Sequence, residues 1–128
     1  MNLVPFASVD DIPYTITRAQ LLERLGSPWR SRRNDVGLEE LDYGHVVYRF
    51  QDSGRLEEVT RRAPVLHLEQ VAVPFPALEG FIRGQDPEAF ERAGFIVSPR
   101  YGLAFVPRDP DWVTALAAHC IPTWRALG

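Results

Sequence analysis

The amino-acid sequence predicts an α+β fold: a capped N-terminal helix packed on an antiparallel meander of three to four strands, then short helices, a second hairpin and a C-terminal helix. Three observations lead there. Helix-start signals and strand-like alternation occur in the same chain but in separate segments. Eleven prolines and nine glycines are spread along the sequence and cut it into short elements. The 128 residues, 45% hydrophobic and 24% charged, suffice for one core without disulfide or metal support, so 1–128 reads as a single domain.

The first element is the helix. Thr17 and Gln20 have the spacing of a capping box, in which each side chain satisfies an orphan backbone donor of the first turn. Ile16 and Leu21 have the spacing of a hydrophobic staple. Leu21, Leu22 and Leu25 form the apolar stripe, Gly26 suits the position after the last turn, and Pro28 prevents continuation. The expected span is Arg18 to Leu25.

The meander follows. Val46, Tyr48 and Phe50 alternate with polar neighbours and belong to one sheet face. Asp52-Ser53-Gly54 supplies a turn, and Arg55 to Arg61 pairs back. Upstream, Glu39 to Tyr43 forms a strand joined through Gly44, and Val65 to Val73 is a candidate fourth strand. Pro76 then opens a short helical segment with Leu78, Phe81 and Ile82, closed by Gly84. Asp86-Pro87-Glu88 reads as the start of another short helix ended by Gly94. Phe95-Ile96-Val97 and Leu103 to Val106 make the second hairpin, with Tyr101 at its tip, as a lid on the core or as an exposed contact. Asp109-Pro110-Asp111 opens the last helix, whose buried face is Val113, Leu116, Ala117 and Cys120, with Pro122 as its end. Trp112 and Trp124 read as core residues around it.

Charge narrows the function. The net charge is −3 and the pI about 5.6, which disfavours nucleic acid and anionic membranes as partners. No apolar run approaches the roughly 18 residues of a membrane span. All 14 basic residues are arginine, a planar fork suited to bidentate pairing with carboxylates. A single cysteine, Cys120, rules out an internal disulfide and fits a reducing compartment. The expected location is cytoplasmic, or periplasmic if a leader has been removed.

Catalytic motifs are missing. The chain has no G-x-S-x-G, P-loop, G-x-G-x-x-G or H-E-x-x-H. His119-Cys120 is the one His/Cys neighbour pair, but adjacent positions on a helix do not face each other. Cys120 then reads as a buried small hydrophobe and His119 as a helix C-terminal residue. His45, His67 and His119 match no zinc spacing. The doublets Asp10-Asp11, Glu39-Glu40 and Glu57-Glu58 read as solvated faces. No catalytic residue, metal or cofactor is therefore expected.

The segment most suited to a protein partner is Trp29, Arg30, Arg32 and Arg33, followed by Asp35, Glu39, Glu40, Asp42 and Tyr43, with Tyr101 as an outlying contact. Tryptophan, tyrosine and arginine are enriched at interface hot spots. Equally, the arginines can pair with the acids just downstream while Trp29 packs over the helix end.

The stretch from Tyr14 to Val59 carries Ile16-Thr17-Arg18-Ala19-Gln20-Leu21-Leu22-Glu23-Arg24-Leu25-Gly26-Ser27-Pro28, Leu41-Asp42-Tyr43, Val46 to Phe50 and Asp52 to Leu56. It resembles the helix-then-meander unit of the SmpA/OmlA family of outer-membrane assembly lipoproteins. That resemblance implies an envelope scaffold. In size, acidity and lack of a catalytic motif the chain is also similar to bacterial immunity proteins. The expectation from sequence is a non-enzymatic protein-binding module, an immunity or inhibitor protein that occludes a toxin or enzyme with a basic surface. The alternatives are the envelope scaffold and a small enzyme or ligand-binding domain whose site the sequence does not disclose.

Overall fold

The structure, a computed structural model, describes residues 1–127. The chain opens on three short antiparallel strands, β1 (Asn2–Val4), β2 (Ser8–Val9) and β3 (Ile12–Pro13). Sequence pattern gives no sign of them. They are too short to show a period, and their turns use Phe6, Asp10 and Asp11 at positive φ, not glycine.

Helix α1 (Arg18–Leu25) has the predicted bounds. Both halves of the capping box form: the Gln20 amide donates to Thr17 Oγ1 at 3.1 Å, and the Thr17 amide to Gln20 Oε1 at 2.9 Å. Leu21 is fully buried in the main core, and Arg18 makes a two-pronged bond to Glu39, tying the helix to the meander.

The meander has four strands: β4 (Arg30–Arg33), β5 (Glu39–Asp42), β6 (Val46–Phe50) and β7 (Leu56–Arg62). Its fourth member is the basic stretch expected as a loop. The register explains why arginines accept a strand here. Arg30 lies opposite Asp42, Arg32 opposite Glu40 and Arg33 opposite Glu39, so cross-strand charge pairing replaces the missing apolar face.

Val65 to Val73 does not extend the meander. It is a hairpin of β8 (Val65–Leu68) and β9 (Val71–Pro74), and β8 pairs in parallel with β1. Its mixed period reflects the turn at Glu69, which has φ 54°. Helix α2 (Phe75–Gln85) follows, with Phe75, Leu78 and Ile82 buried.

Two expected helices are absent. Asp86 caps no helix. Its Oδ1 accepts the Glu88 amide, and its Oδ2 accepts the Ser98 hydroxyl at 2.7 Å and the Arg100 amide at 3.0 Å. The carboxylate is thus spent on a tight turn and on the next hairpin. Beyond it, β10 (Phe90–Arg92) turns through Ala93 and Gly94, both at positive φ, into β11 (Phe95–Ser98). The expected hairpin partner, β12 (Leu103–Phe105), is present. The expected last helix is mostly a strand, β13 (Trp112–Leu116), placed between β12 and β7. Val113 to Leu116 are buried on both faces of the sheet, so they read as an apolar run in which periodicity cannot separate strand from helix. A single 3-10 turn, Ala118–Cys120, leads into α3 (Ile121–Ala126), with Pro122 in its first turn. Proline opens this helix, where it lacks only a donor that would be orphaned anyway.

The strands form a five-stranded sheet, β3-β2-β1-β8-β9, and an eight-stranded sheet, β10-β11-β12-β13-β7-β6-β5-β4. Both predicted hairpins lie in the larger sheet. One of its faces packs Leu41, Tyr48, Phe50, Val59, Leu103, Phe105 and Val113 against the smaller sheet, α1 and α2. On the other face Val97, Ala104 and Leu116 pack with Cys120, Ile121 and Trp124 around α3, covering only one end. Tyr101 is buried in the main core.

Phe50 is fully buried at the centre of this packing. Phe50→Ala should lower the free energy of unfolding by about 3–5 kcal/mol, and Thr17→Ala by about 1 kcal/mol, measured by urea titration. Equal losses from the two would contradict the assigned core.

Candidate metal centre and the adjoining groove

The centre begins with one extra residue in β7. Arg49 pairs with Glu58 and Phe50 with Leu56, leaving Glu57 without a partner in the ladder. Such a bulge re-aims a side chain. Glu57 and Glu58 consequently line the same cavity, although successive strand residues ordinarily point to opposite faces. Glu57 is buried, and the 3-10 turn after β13 brings His119 and Cys120 against it. His119 Nε2 contacts Glu57 Oε2. Cys120 Sγ lies 3.4 Å from the same oxygen and 3.4 Å from the Glu57 carbonyl. Arg55 Nη2 reaches Glu57 Oε1 at 3.3 Å from the solvent side.

One ligand atom from each of Glu57, His119 and Cys120 lies within 4.8 Å of the others. Metal–ligand bonds of about 2.0–2.3 Å place the donors of a tetrahedral ion roughly 3–4 Å apart. Cys120 Sγ and Glu57 Oε2 meet that spacing, whereas His119 Nε2 and Glu57 Oε2 are in direct contact and would have to part to admit an ion, so the set fits a zinc-class ion in its N, S, O chemistry. The same geometry argues against a thiolate nucleophile. Burial, then the negative charge of Glu57 and the hydrogen bond to it, push the Cys120 thiol well above its ordinary value. A bound cation would reverse that, because a coordinated thiol gives up its proton.

The triad sits in the wall of a cavity of about 430 Å³ that also includes Leu38, Gln51, Thr123 and Trp124. Glu58 and Trp124 are shared with a second concavity of about 420 Å³ on the same face, where α3 stops short of the meander. Its floor is a ladder of paired side chains. Arg49 Nε donates to Glu40 at 2.7 Å and Nη1 to the Thr60 hydroxyl at 2.6 Å, and Thr60 bonds Thr114 at 2.8 Å. Trp124 Nε1 donates to Glu58 Oε2 at 3.2 Å. Burial raises the pKa of the Glu58 carboxyl, and the nearby Arg49 only partly offsets this.

Sequence reasoning passed over His119-Cys120 because it placed both on a helix, where neighbours diverge. Their partner lies 63 residues away from Cys120, and neither the spacing nor the bulge leaves a mark in the sequence. The residues it did select, Tyr101 apart, form a strip along the β4–β5 edge of the large sheet. Trp29, 83% exposed, leans on Gly44, where a Cβ would lie 2.7 Å from the indole. Arg30 pairs with Asp42, Arg32 with Glu40 and Arg33 with Asp52, while Asp35 is exposed. The Tyr43 hydroxyl bonds the Gly26 carbonyl at 2.8 Å. Tyr101 lies elsewhere, buried beside Phe81 at the second hairpin.

No family model matches the chain, and neither the curated proteins nor the solved structures searched contain a match.

Three acids of the strip, Glu39, Glu40 and Asp42, are held below their ordinary values. For Glu40, burial acts upward but the bonds from Arg49 and Arg32 outweigh it; for Glu39 the Arg18 bond dominates, and for Asp42 the Gly44 amide. A depressed carboxylate stabilises the fold above its unfolded value and loses that contribution as the pH falls through the folded one. Glu40→Gln should therefore be less stable than the parent at pH 7, by roughly 1–3 kcal/mol. The gap should close as the pH drops below 4.5, the ordinary glutamate value. Chemical denaturation across this range measures it, and a gap independent of pH would refute the assignment.

Proposed function

We propose that the chain is a small metal-binding domain whose zinc-class ion is held by Glu57, His119 and Cys120 at the wall of a ligand cavity. The reading belongs with the small-enzyme or ligand-binding alternative and not with an inhibitor lacking a site. The observation that carries it is the convergence of a buried carboxylate, an imidazole and a thiol from two distant segments. Three protein ligands leave a fourth position for water or substrate, as in catalytic zinc sites, whereas structural sites are closed by four. An ion there would supply Lewis-acid chemistry. The protein's own contributions are the bulge that presents Glu57, the Arg55 contact that orients it and the covering by α3.

Equilibrium dialysis against zinc followed by elemental analysis should give one ion per chain. Cobalt(II) should produce a near-ultraviolet sulfur-to-metal charge-transfer band that vanishes in Cys120→Ser. At free zinc 100 times Kd, the unfolding free energy should rise by about 2.7 kcal/mol, and this gain should be absent from His119→Ala. Stoichiometric binding that survives both substitutions would dismiss the triad.

A second reading, a protein-binding module of the immunity type, has its own support in the edge strand β4. Trp29, just before it, and Val36, in the turn after it, are large apolar side chains exposed at 83% and 76%. The chemistry that fits this edge is a partner with an apolar pocket for the indole, since the arginines beside it are already paired. Trp29→Ala should abolish capture of such a partner without changing zinc uptake; unchanged capture would count against this strip.

A further inference from the structure

The groove beside the metal centre carries chemistry that the triad does not use. Three aromatic side chains, Phe95, Trp112 and Trp124, line it together with Glu40, Glu58 and Asp109, and Arg49 is the one basic residue among its walls. Arg49 is committed to Glu40 and Thr60, and its contact with Glu58 is longer, 3.5 Å. Two further arginines approach from outside. Arg32 is held by Glu40 at 2.8 Å, and Arg62 is shared between Asp111 at 3.5 Å and the face of Trp112, 5.6 Å from its centroid. Set against these three arginines are four acids, Glu40, Glu58, Asp109 and Asp111, so one negative charge is left uncompensated. It falls at the Glu58 and Asp109 side: Asp109 has no arginine pair among the described residues, and Glu58 shares Arg49, at 3.5 Å, with Glu40.

An anionic ligand would meet no free cation here. A neutral one would leave the excess charge unanswered. A monocation answers it, and the aromatic walls favour one with an apolar shell, because the negative faces of indole and phenyl rings attract a poorly hydrated ammonium. Arg62 stacked on Trp112 is an instance of the same attraction within the fold. The cavity, about 420 Å³, is of small-molecule size.

We propose that this groove binds a small organic cation, an alkylated ammonium, seated between Trp112 and Trp124 with its charge against Glu58. This goes beyond the metal reading and stands on other residues. Calorimetry and tryptophan fluorescence with choline as the probe test it. Its uncharged isostere 3,3-dimethyl-1-butanol and methyl glucoside serve as controls.

Choline should bind saturably and more weakly as sodium chloride is raised, and neither control should bind. Glu58→Gln and Trp112→Leu should each weaken choline at least about tenfold. Circular dichroism checks that both remain folded. The double variant Glu57→Ala/His119→Ala should lose zinc yet keep its choline affinity. Failure of the metal reading alone would thus leave the choline result intact. Equal binding of the neutral isostere, saturable binding of the glucoside in place of choline, or no saturable binding at all would overturn the proposal. So would loss of choline affinity in the double variant, which would place the cation at the triad.

Discussion

A single unpaired residue in β7 sets the chemistry of this protein. Without the bulge at Glu57, the strict alternation of a strand would send Glu57 toward the main core, among Leu56, Val59 and Phe50. A carboxylate there would be desolvated with no partner, at a cost of several kcal/mol. The extra residue turns it to the other face, where His119, Cys120 and Arg55 meet it, and restores the register in which Arg49 lies opposite Glu58. The core on one side and the polar site on the other both follow from that one shift.

The two faces of the large sheet divide the work. One is apolar and closed by the smaller sheet and two helices. The other is covered only where α3 lies, and the uncovered part holds a ladder of arginines, carboxylates and threonines in which nearly every group is satisfied by a neighbour. A satisfied network of this kind is rigid. It fixes the cavity walls, so a ligand of the proposed kind would spend little binding energy on ordering side chains.

Elements with local causes were legible in the sequence. The capping box of α1, the alternation of β6 and the apolar hairpin arms of β11 and β12 each arise from neighbours within a few residues. What could not be read depends on distant partners. The arginines of β4 become a strand only because β5 presents an acid opposite each of the three. Val113 to Leu116 become a strand only because β7 and β12 flank them. Asp86 has the pattern of a helix cap, but Ser98 and Arg100 compete for its oxygens and win. The site failed to show for the same reason: a His-Cys doublet has meaning only beside the carboxylate that the fold delivers.

That delivery crosses a seam. Among the described residues, the large sheet is two local meanders, residues 30–62 and 90–116, whose strands are joined by the β7–β13 ladder. Glu57 belongs to the first and His119-Cys120 to the second, and the Thr60–Thr114 bond spans the same junction, 54 residues apart in sequence. Closing so long a loop is a slow, entropically costly event in folding, whereas each meander can form from local contacts. The triad therefore comes into being only when the halves dock, and any local opening between them dissolves it. In kinetic terms the site records whether the final long-range step of assembly has occurred.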